Sequence, residues 1–246
     1  MNMGSAGNKI ALVTGANKGI GFEVTRQLAA SGCTVLAGAR NKALGEQAAA
    51  TLQREGGDVR YLGIDLNDLA SIAAAAKDIE AGFGHLDILV NNAGIAWPGD
   101  GLPSTCSLEA IERDFRVNFL GTVAVTQAML PLLRKASSAS IVNVSSGLGS
   151  LTKSADPAWT YVAAKFLGYA ASKAALNMLT VQLAYELRGT AIKVNSADPG
   201  YTATDLNQHR GTQSIPEGSA EIIRLALLPD NGPTGTCSDA QGIVPW

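Results

Sequence analysis

Ile10-Ala11-Leu12-Val13-Thr14-Gly15-Ala16-Asn17-Lys18-Gly19-Ile20-Gly21 decides how this chain folds. Four consecutive apolar residues suit a parallel strand covered on both faces. The glycines then allow a tight turn. Ile20, Val24 and Leu28 follow at helical spacing and stop at Gly32. A strand that runs through a glycine turn straight into a helix is the first half of a βαβ unit.

The same rhythm continues outward. Residues 34–37, 59–64, 88–90, 141–144 and 192–195 read as strands, and a weak seventh falls near Thr236-Cys237-Ser238. Between them lie helical patterns: Leu44, Ala48 and Leu52, ended by Gly56-Gly57; Leu69, Ile72, Ala76 and Ile79, closed by Gly82; residues 108–133, with Pro131 near the end; Leu176, Leu179, Leu183 and Leu187; and Ile222, Leu225 and Leu228. Strict alternation predicts an α/β fold, a doubly wound, Rossmann-type parallel sheet of about seven strands with helices on both faces. No linker or longer repeat interrupts it, so residues 1–246 read as one domain, with a flexible stretch at 1–8.

The bulk numbers restrict function. The chain has 246 residues, 46% of them hydrophobic and 16% charged, with net charge −2. It is globular, and it carries no basic footprint for nucleic acid or for an anionic membrane. The first residues form no apolar signal region, and no stretch reaches the roughly 18 apolar residues of a membrane span. Cys33, Cys106 and Cys237 match no metal-ligand spacing and read as reduced thiols of a cytoplasmic protein. His85 and His209 are too few and too scattered for a metal site, so no metal is expected.

The turn at Gly15, Asn17, Lys18, Gly19, Ile20 and Gly21 suits a pyrophosphate, because glycines let the backbone approach and a helix N-terminus supplies N–H groups. The second strand ends in Ala39-Arg40, without the carboxylate that would bind ribose hydroxyls. With Lys18 inside the turn, two cations favour a 2′-phosphate, hence NADP(H) over NAD. The alternative is a solvated Arg40.

Tyr169-Ala170-Ala171-Ser172-Lys173 places a phenol and an ammonium four residues apart, on one face if helical. A cation there lowers a phenol pKa from about 10 towards neutrality and makes a general acid/base. Tyr161-Val162-Ala163-Ala164-Lys165 repeats the spacing eight residues earlier. Ser145 and Ser146 end a strand, and neighbours on a strand face opposite ways, so one of them enters the cleft.

Together these residues resemble the short-chain dehydrogenase/reductase family over nearly the whole chain. Residues 14–21 are similar to its cofactor turn, Asp65-Leu66 to its adenine-contacting pair, and Asn91-Asn92-Ala93-Gly94 to its N-N-A-G motif. Asn118 matches its helix asparagine and Ser146 its serine. Tyr169 and Lys173 match its Y-x-x-x-K; the continuation Ala174-Ala175-Leu176 fits too, whereas Phe166-Leu167-Gly168 after the earlier pair does not. Gly168 is expected to interrupt the helix between the two pairs. Pro199, Gly200, Thr202 and Thr204 resemble the segment that meets the nicotinamide. Residues 17–21, 225–229 and Trp246 resemble the NADPH-dependent carbonyl reductases.

The resemblance implies reduction of ketones or aldehydes with NADPH. Ser146 would bind the carbonyl oxygen, Tyr169 donate the proton, Lys173 tune it and Asn118 support a relay. Other readings are an alcohol dehydrogenase working oxidatively and a non-catalytic NADP sensor. The interval from Ser146 to Tyr169 is longer than the family's usual one. Residues 147–168 read as an insertion that would favour a monomer or a small homo-oligomer. The substrate pocket is expected from that insertion, residues 95–103 and the loop 200–217, with Trp97, Trp159, Tyr161 and Tyr201 as walls.

Overall fold

The computed structural model describes residues 9–246. The flexible stretch expected at 1–8 lies outside the described residues. The order is β1 (Ile10–Thr14), α1 (Gly19–Ala30), β2 (Thr34–Ala39), α2 (Lys42–Arg54), β3 (Val59–Gly63), α3 (Leu69–Phe83), β4 (Ile88–Asn91), α4 (Leu108–Phe115), a π-helical segment (Arg116–Gly121) and α5 (Thr122–Leu133). Then come β5 (Ala139–Val144), a 3-10 turn (Gly147–Gly149), α6 (Leu151–Ala155), α7 (Leu167–Glu186), β6 (Ile192–Ala197), a 3-10 turn (Asp205–Asn207), α8 (Ile215–Ala226), β7 (Cys237–Asp239) and β8 (Gly242–Ile243).

One sheet has the order β3-β2-β1-β4-β5-β6-β7-β8. All pairs are parallel except β7 with β8. The sheet therefore has eight strands rather than about seven; two residues of β8 are too short a run to carry a periodic signal. The order reverses between β1 and β4, and a ligand crevice opens beyond the C-terminal ends of the strands there.

β1 shows why its apolar run is uninterrupted. Ile10 and Leu12 face a core completed by Ile72 and Ile79 of α3, Val125 and Met129 of α5, and Leu183 of α7. Ala11 and Val13 face the opposite core, with Val24 and Leu28 of α1, Leu52 of α2 and Ile222 of α8. Alternate residues of one strand thus feed two apolar layers.

Four expectations change. Gly84, at φ 76°, closes α3, because its left-handed conformation lets its N–H reach the Glu80 carbonyl (3.0 Å). Residues 108–133 are not one regular helix: the turn around Asn118 is wound as a π segment. Gly168 does not interrupt a helix but lies in the first turn of α7, and residues 161–163 form turns that an irregular stretch at 164–166 joins to it. Residues 215–217 of the expected loop already belong to α8, capped reciprocally by Ser214 and Glu217.

The segment 147–168 packs against the sheet edge. α6 is capped by Ser150, whose hydroxyl also donates to the Pro245 carbonyl (2.5 Å). Thr152 donates its N–H (3.1 Å) and hydroxyl (2.6 Å) to the Trp246 carbonyl.

Candidate active site

The glycine turn and the end of β4 form one wall of the crevice. Gly15 (φ 66°) and Gly19 (φ 58°) hold left-handed conformations that favour glycine. A Cβ at Gly21 would run into the Gly15 carbonyl and the Asn92 side chain. Thr14 Oγ1 accepts the N–H groups of Asn92 and Ala93, each at 3.0 Å, and Asn92 Nδ2 donates to the carbonyls of Thr14 (2.8 Å) and Gly15 (3.2 Å). Turn and strand end are thereby locked together.

The N-terminus of α1 differs from those around it. Asn41, Asp68, Ser107 and Ser214 cap α2, α3, α4 and α8 with their side chains. Lys18 at the N-cap of α1 gives no such bond, and no acidic residue lies in the first turn. Uncapped N–H groups behind a glycine turn fit an anionic group of a dinucleotide.

The flanking residues are placed less uniformly. Arg40 is exposed at the end of β2, as expected. Lys18 pairs with Asp205 of the loop after β6 (2.6 Å), an exposed ion pair. Thr204 in that loop lies opposite Gly19, its methyl 3.9 Å from where a Cβ would stand. Thr202 is buried and its hydroxyl donates to the Pro199 carbonyl (2.8 Å). Asp65 accepts the Asn67 N–H (2.9 Å), and the Leu66 carbonyl packs under Gly121.

Ser146, Tyr169 and Lys173 come together beside this wall. Gly149 allows it: a Cβ there would stand 2.8 Å from the Lys173 backbone, so the turn after Ser146 rests directly on α7. Lys173 is 4% exposed, donates to the Val144 carbonyl (2.7 Å) and lies 5.7 Å from the centre of the Tyr169 ring. Beyond Gly94, a Cβ position lies 3.3 Å from Asn118 Oδ1 and 3.4 Å from Lys173 Nζ. Asn118 is fully engaged: its amide donates to the Ile95 carbonyl (2.9 Å) and Ser172 Oγ (3.0 Å), and its Oδ1 accepts the Ile95 N–H (2.8 Å). The two serines separate as the strand pleat requires. Ser146 lines the cavity, whereas buried Ser145 donates to Asn177 (2.7 Å).

Burial dominates the electrostatics of the phenol. Burial pushes Tyr169 up to about 12; a hydrogen bond with Ser146 opposes this, and Asp198 and Asp114 reinforce it. Burial likewise pushes Lys173 down to about 8, against the pull of Asp114. The Lys173 ammonium donates to the Val144 carbonyl and stands over the Tyr169 ring.

A cavity of about 610 Å³ opens from Ser146. Trp159, Tyr161 and Tyr201 line it as an aromatic wall, with ring centres 5.7 Å apart in both successive pairs. Trp97 is not among the lining residues. It packs instead under the Arg113 guanidinium at 5.1 Å. Sequence reasoning missed several acidic groups here. Asp198, 7% exposed, accepts the Gly200 N–H (3.0 Å), and burial raises its pKa. Asp239 pairs with Lys153 (3.2 Å) at the same cavity. Asp100 and Asp114 stand at the start of α7. Only Asp198 carried a sequence signal, its position beside Pro199-Gly200.

A doubly wound sheet with a glycine turn at its switch point and a Ser-Tyr-Lys grouping beside it has the layout of the short-chain oxidoreductases. A family model described as short chain dehydrogenase matches residues 9–214, and the chain belongs to that family. It is 34% identical to (-)-isopiperitenone reductase of Mentha piperita, over 92% of this chain and 95% of that one. It is 33% identical to carbonyl reductase [NADPH] 1 of Mus musculus, over 98% of this chain and 100% of that one. Among solved structures, NADPH-bound carbonyl reductase from chicken fatty liver superposes with TM-score 0.84 at 27% identity, covering 98% of this chain and 100% of that one. No helix among the described residues is long and apolar enough to cross a membrane, and no group of three potential metal ligands occurs among them.

Proposed function

We propose that the protein reduces ketones or aldehydes to alcohols with NADPH. The observation that carries this reading is the grouping of Tyr169 with Lys173 and with Ser146, which itself lines the aromatic-walled cavity. NADPH, when bound, supplies the hydride to the carbonyl carbon. Gly15, Asn17, Gly19, Ile20 and Gly21 would hold its pyrophosphate, and Arg40 with Lys18 its 2′-phosphate. For that, Lys18 exchanges or shares its partner Asp205. Asp65, Leu66, Ala93, Gly94 and Thr204 would hold the adenine and nicotinamide portions.

Ser146 donates a hydrogen bond to the carbonyl oxygen. Tyr169 gives its proton to that oxygen as negative charge develops. A phenol pushed up to about 12 is protonated at neutral pH, which suits a donor. The phenolate left behind is stabilised by Lys173 and reprotonated through a relay beside Asn118. Trp159, Tyr161 and Tyr201 favour bulky aryl carbonyl compounds. The free cysteines accord with a cytoplasmic setting.

The test is cofactor consumption with NADPH and NADH against aryl ketones, aldehydes and α-keto esters. Turnover with NADPH, and a shift towards NADH in Arg40→Asp, is the expected result. Equal use of both cofactors by both proteins overturns the NADP assignment, and no turnover of any carbonyl overturns the reductase reading.

A further inference from the structure

The first turn of α7 carries Tyr169, and its own N-cap residue, Phe166, has no side chain that caps. A helix start leaves N–H groups without helical acceptors. Here three of them are satisfied from a single dipeptide far away in sequence. Leu167 donates to the Gly101 carbonyl (3.0 Å). Gly168 donates to Asp100 Oδ1 and Tyr169 itself to Asp100 Oδ2, each at 2.9 Å. Asp100 Oδ1 also accepts the Gly101 N–H (2.8 Å). Both carboxylate oxygens are thus committed, and the charge sits at the positive end of the helix.

The loop that delivers Asp100 is itself held. Asn118 binds both the N–H and the carbonyl of Ile95, and Asp114 Oδ1 accepts the Trp97 N–H (2.9 Å). The Ser107 N–H closes on the Gly99 carbonyl (3.0 Å). Asn118 and Asp114 lie on the helical run that packs against α7. Asp100 therefore joins a loop fixed at its base to the backbone N–H of Tyr169 itself.

We propose that Asp100 is a positioning residue for proton transfer: its carboxylate clamps the first turn of α7 and so fixes the phenol of Tyr169 against Ser146. This rests on Tyr169 being the proton donor. A cap that merely stabilised the helix would alter folding alone. A positioning clamp alters the chemical step while substrate and cofactor still bind, because small misplacements of a reacting group are costly in rate.

The test uses Asp100→Asn and Asp100→Ala with NADPH bound. In Asp100→Ala, kcat for an aryl ketone falls by about ten- to a hundredfold. The KM for ketone and the Kd for NADPH stay within about twofold. Asp100→Asn, which keeps one acceptor oxygen, recovers part of the rate. Amide hydrogen exchange at residues 168 and 169 quickens, while the rest of α7 is unchanged. Wild-type kcat in both variants overturns the proposal. So does a parallel fall of kcat, NADPH affinity and unfolding midpoint. If Asp100→Ala does not fold, Asp100→Asn decides on the same readouts. If the wild-type protein reduces no carbonyl, the reading of the site has failed, and exchange alone then decides: unchanged protection at 168 and 169 in Asp100→Asn removes the clamp.

Discussion

Residues 161–165 and 169–173 carry the same two side chains at the same spacing and become different objects. In the first, the chain runs through successive turns: Trp159 N–H bonds Asp156, Val162 N–H bonds Trp159 and Ala164 N–H bonds Tyr161. Asp156 also accepts the Ala158 N–H (2.8 Å), and Pro157 follows it, so the segment enters as a turn. Tyr161 meets Trp159 edge to face and Tyr201 at a tilt, and exposed Lys165 donates to the Ser154 carbonyl (3.2 Å). In the second, a helix puts Tyr169 beside Ser146 and buries Lys173. Spacing becomes chemistry only when a helix turns it into a shared face and a tertiary neighbour supplies the third group.

The sharpest way to break this contrast is to remove each hydroxyl. Tyr169→Phe is expected to lower kcat by about 10²–10⁴-fold, the usual worth of a general acid, with NADPH affinity unchanged. Tyr161→Phe keeps turnover and changes KM for bulky ketones instead. Stopped-flow and steady-state NADPH absorbance read both; the reverse pattern moves the catalytic pair upstream.

Gly168→Ala tests the junction between the two segments. Its Cβ would stand 3.0 Å from both Asp114 Oδ2 and the Ile111 backbone. Forcing α7 from α4 is expected to cost about 1–3 kcal/mol in urea unfolding. An Ala163→Gly change in the earlier segment, at an exposed turn position, is expected to cost less than about 1 kcal/mol.

Asp114 gives the contrast a pH dependence. It is fully buried, its Oδ2 has no hydrogen-bond partner, and burial pushes it up to about 6. Between its ordinary value of 3.8 and about 6 the folded protein holds a proton that the unfolded chain has lost. Stability contributed by this group is therefore complete below 3.8 and is lost as pH rises through 6. Asp114→Asn is expected to remove that decline, so the variant gains on wild type by up to about 3 kcal/mol between acid and neutral pH. Lys173 and Asp100 face the same group, so thermal melts of the pair across pH isolate the difference.

The smallest effect belongs to the earlier lysine. Lys165→Ala is expected to leave stability within about 0.5 kcal/mol, as for surface residues generally. Lys173→Ala is expected to lose turnover under the same assay.

Much of this molecule was legible along the chain because its signals are local. Apolar runs, helical periodicity and glycines at sharp turns each depend on a few neighbouring residues, and they located seven of the eight strands and the crevice wall from Gly15 to Gly94. The separation of Ser146 from Ser145 follows likewise from the strand pleat. What tertiary structure alone decided involves partners far apart in sequence. Asp100 meets Tyr169 across 69 positions, and the exposed pair Lys18–Asp205 spans 187. The π turn at Asn118, the burial that raises Tyr169, and the placing of Trp97 outside the cavity depend on which surfaces the completed sheet brings together. Hydrogen bonds and desolvation act over a few ångströms, and only the folded chain determines which groups come that close.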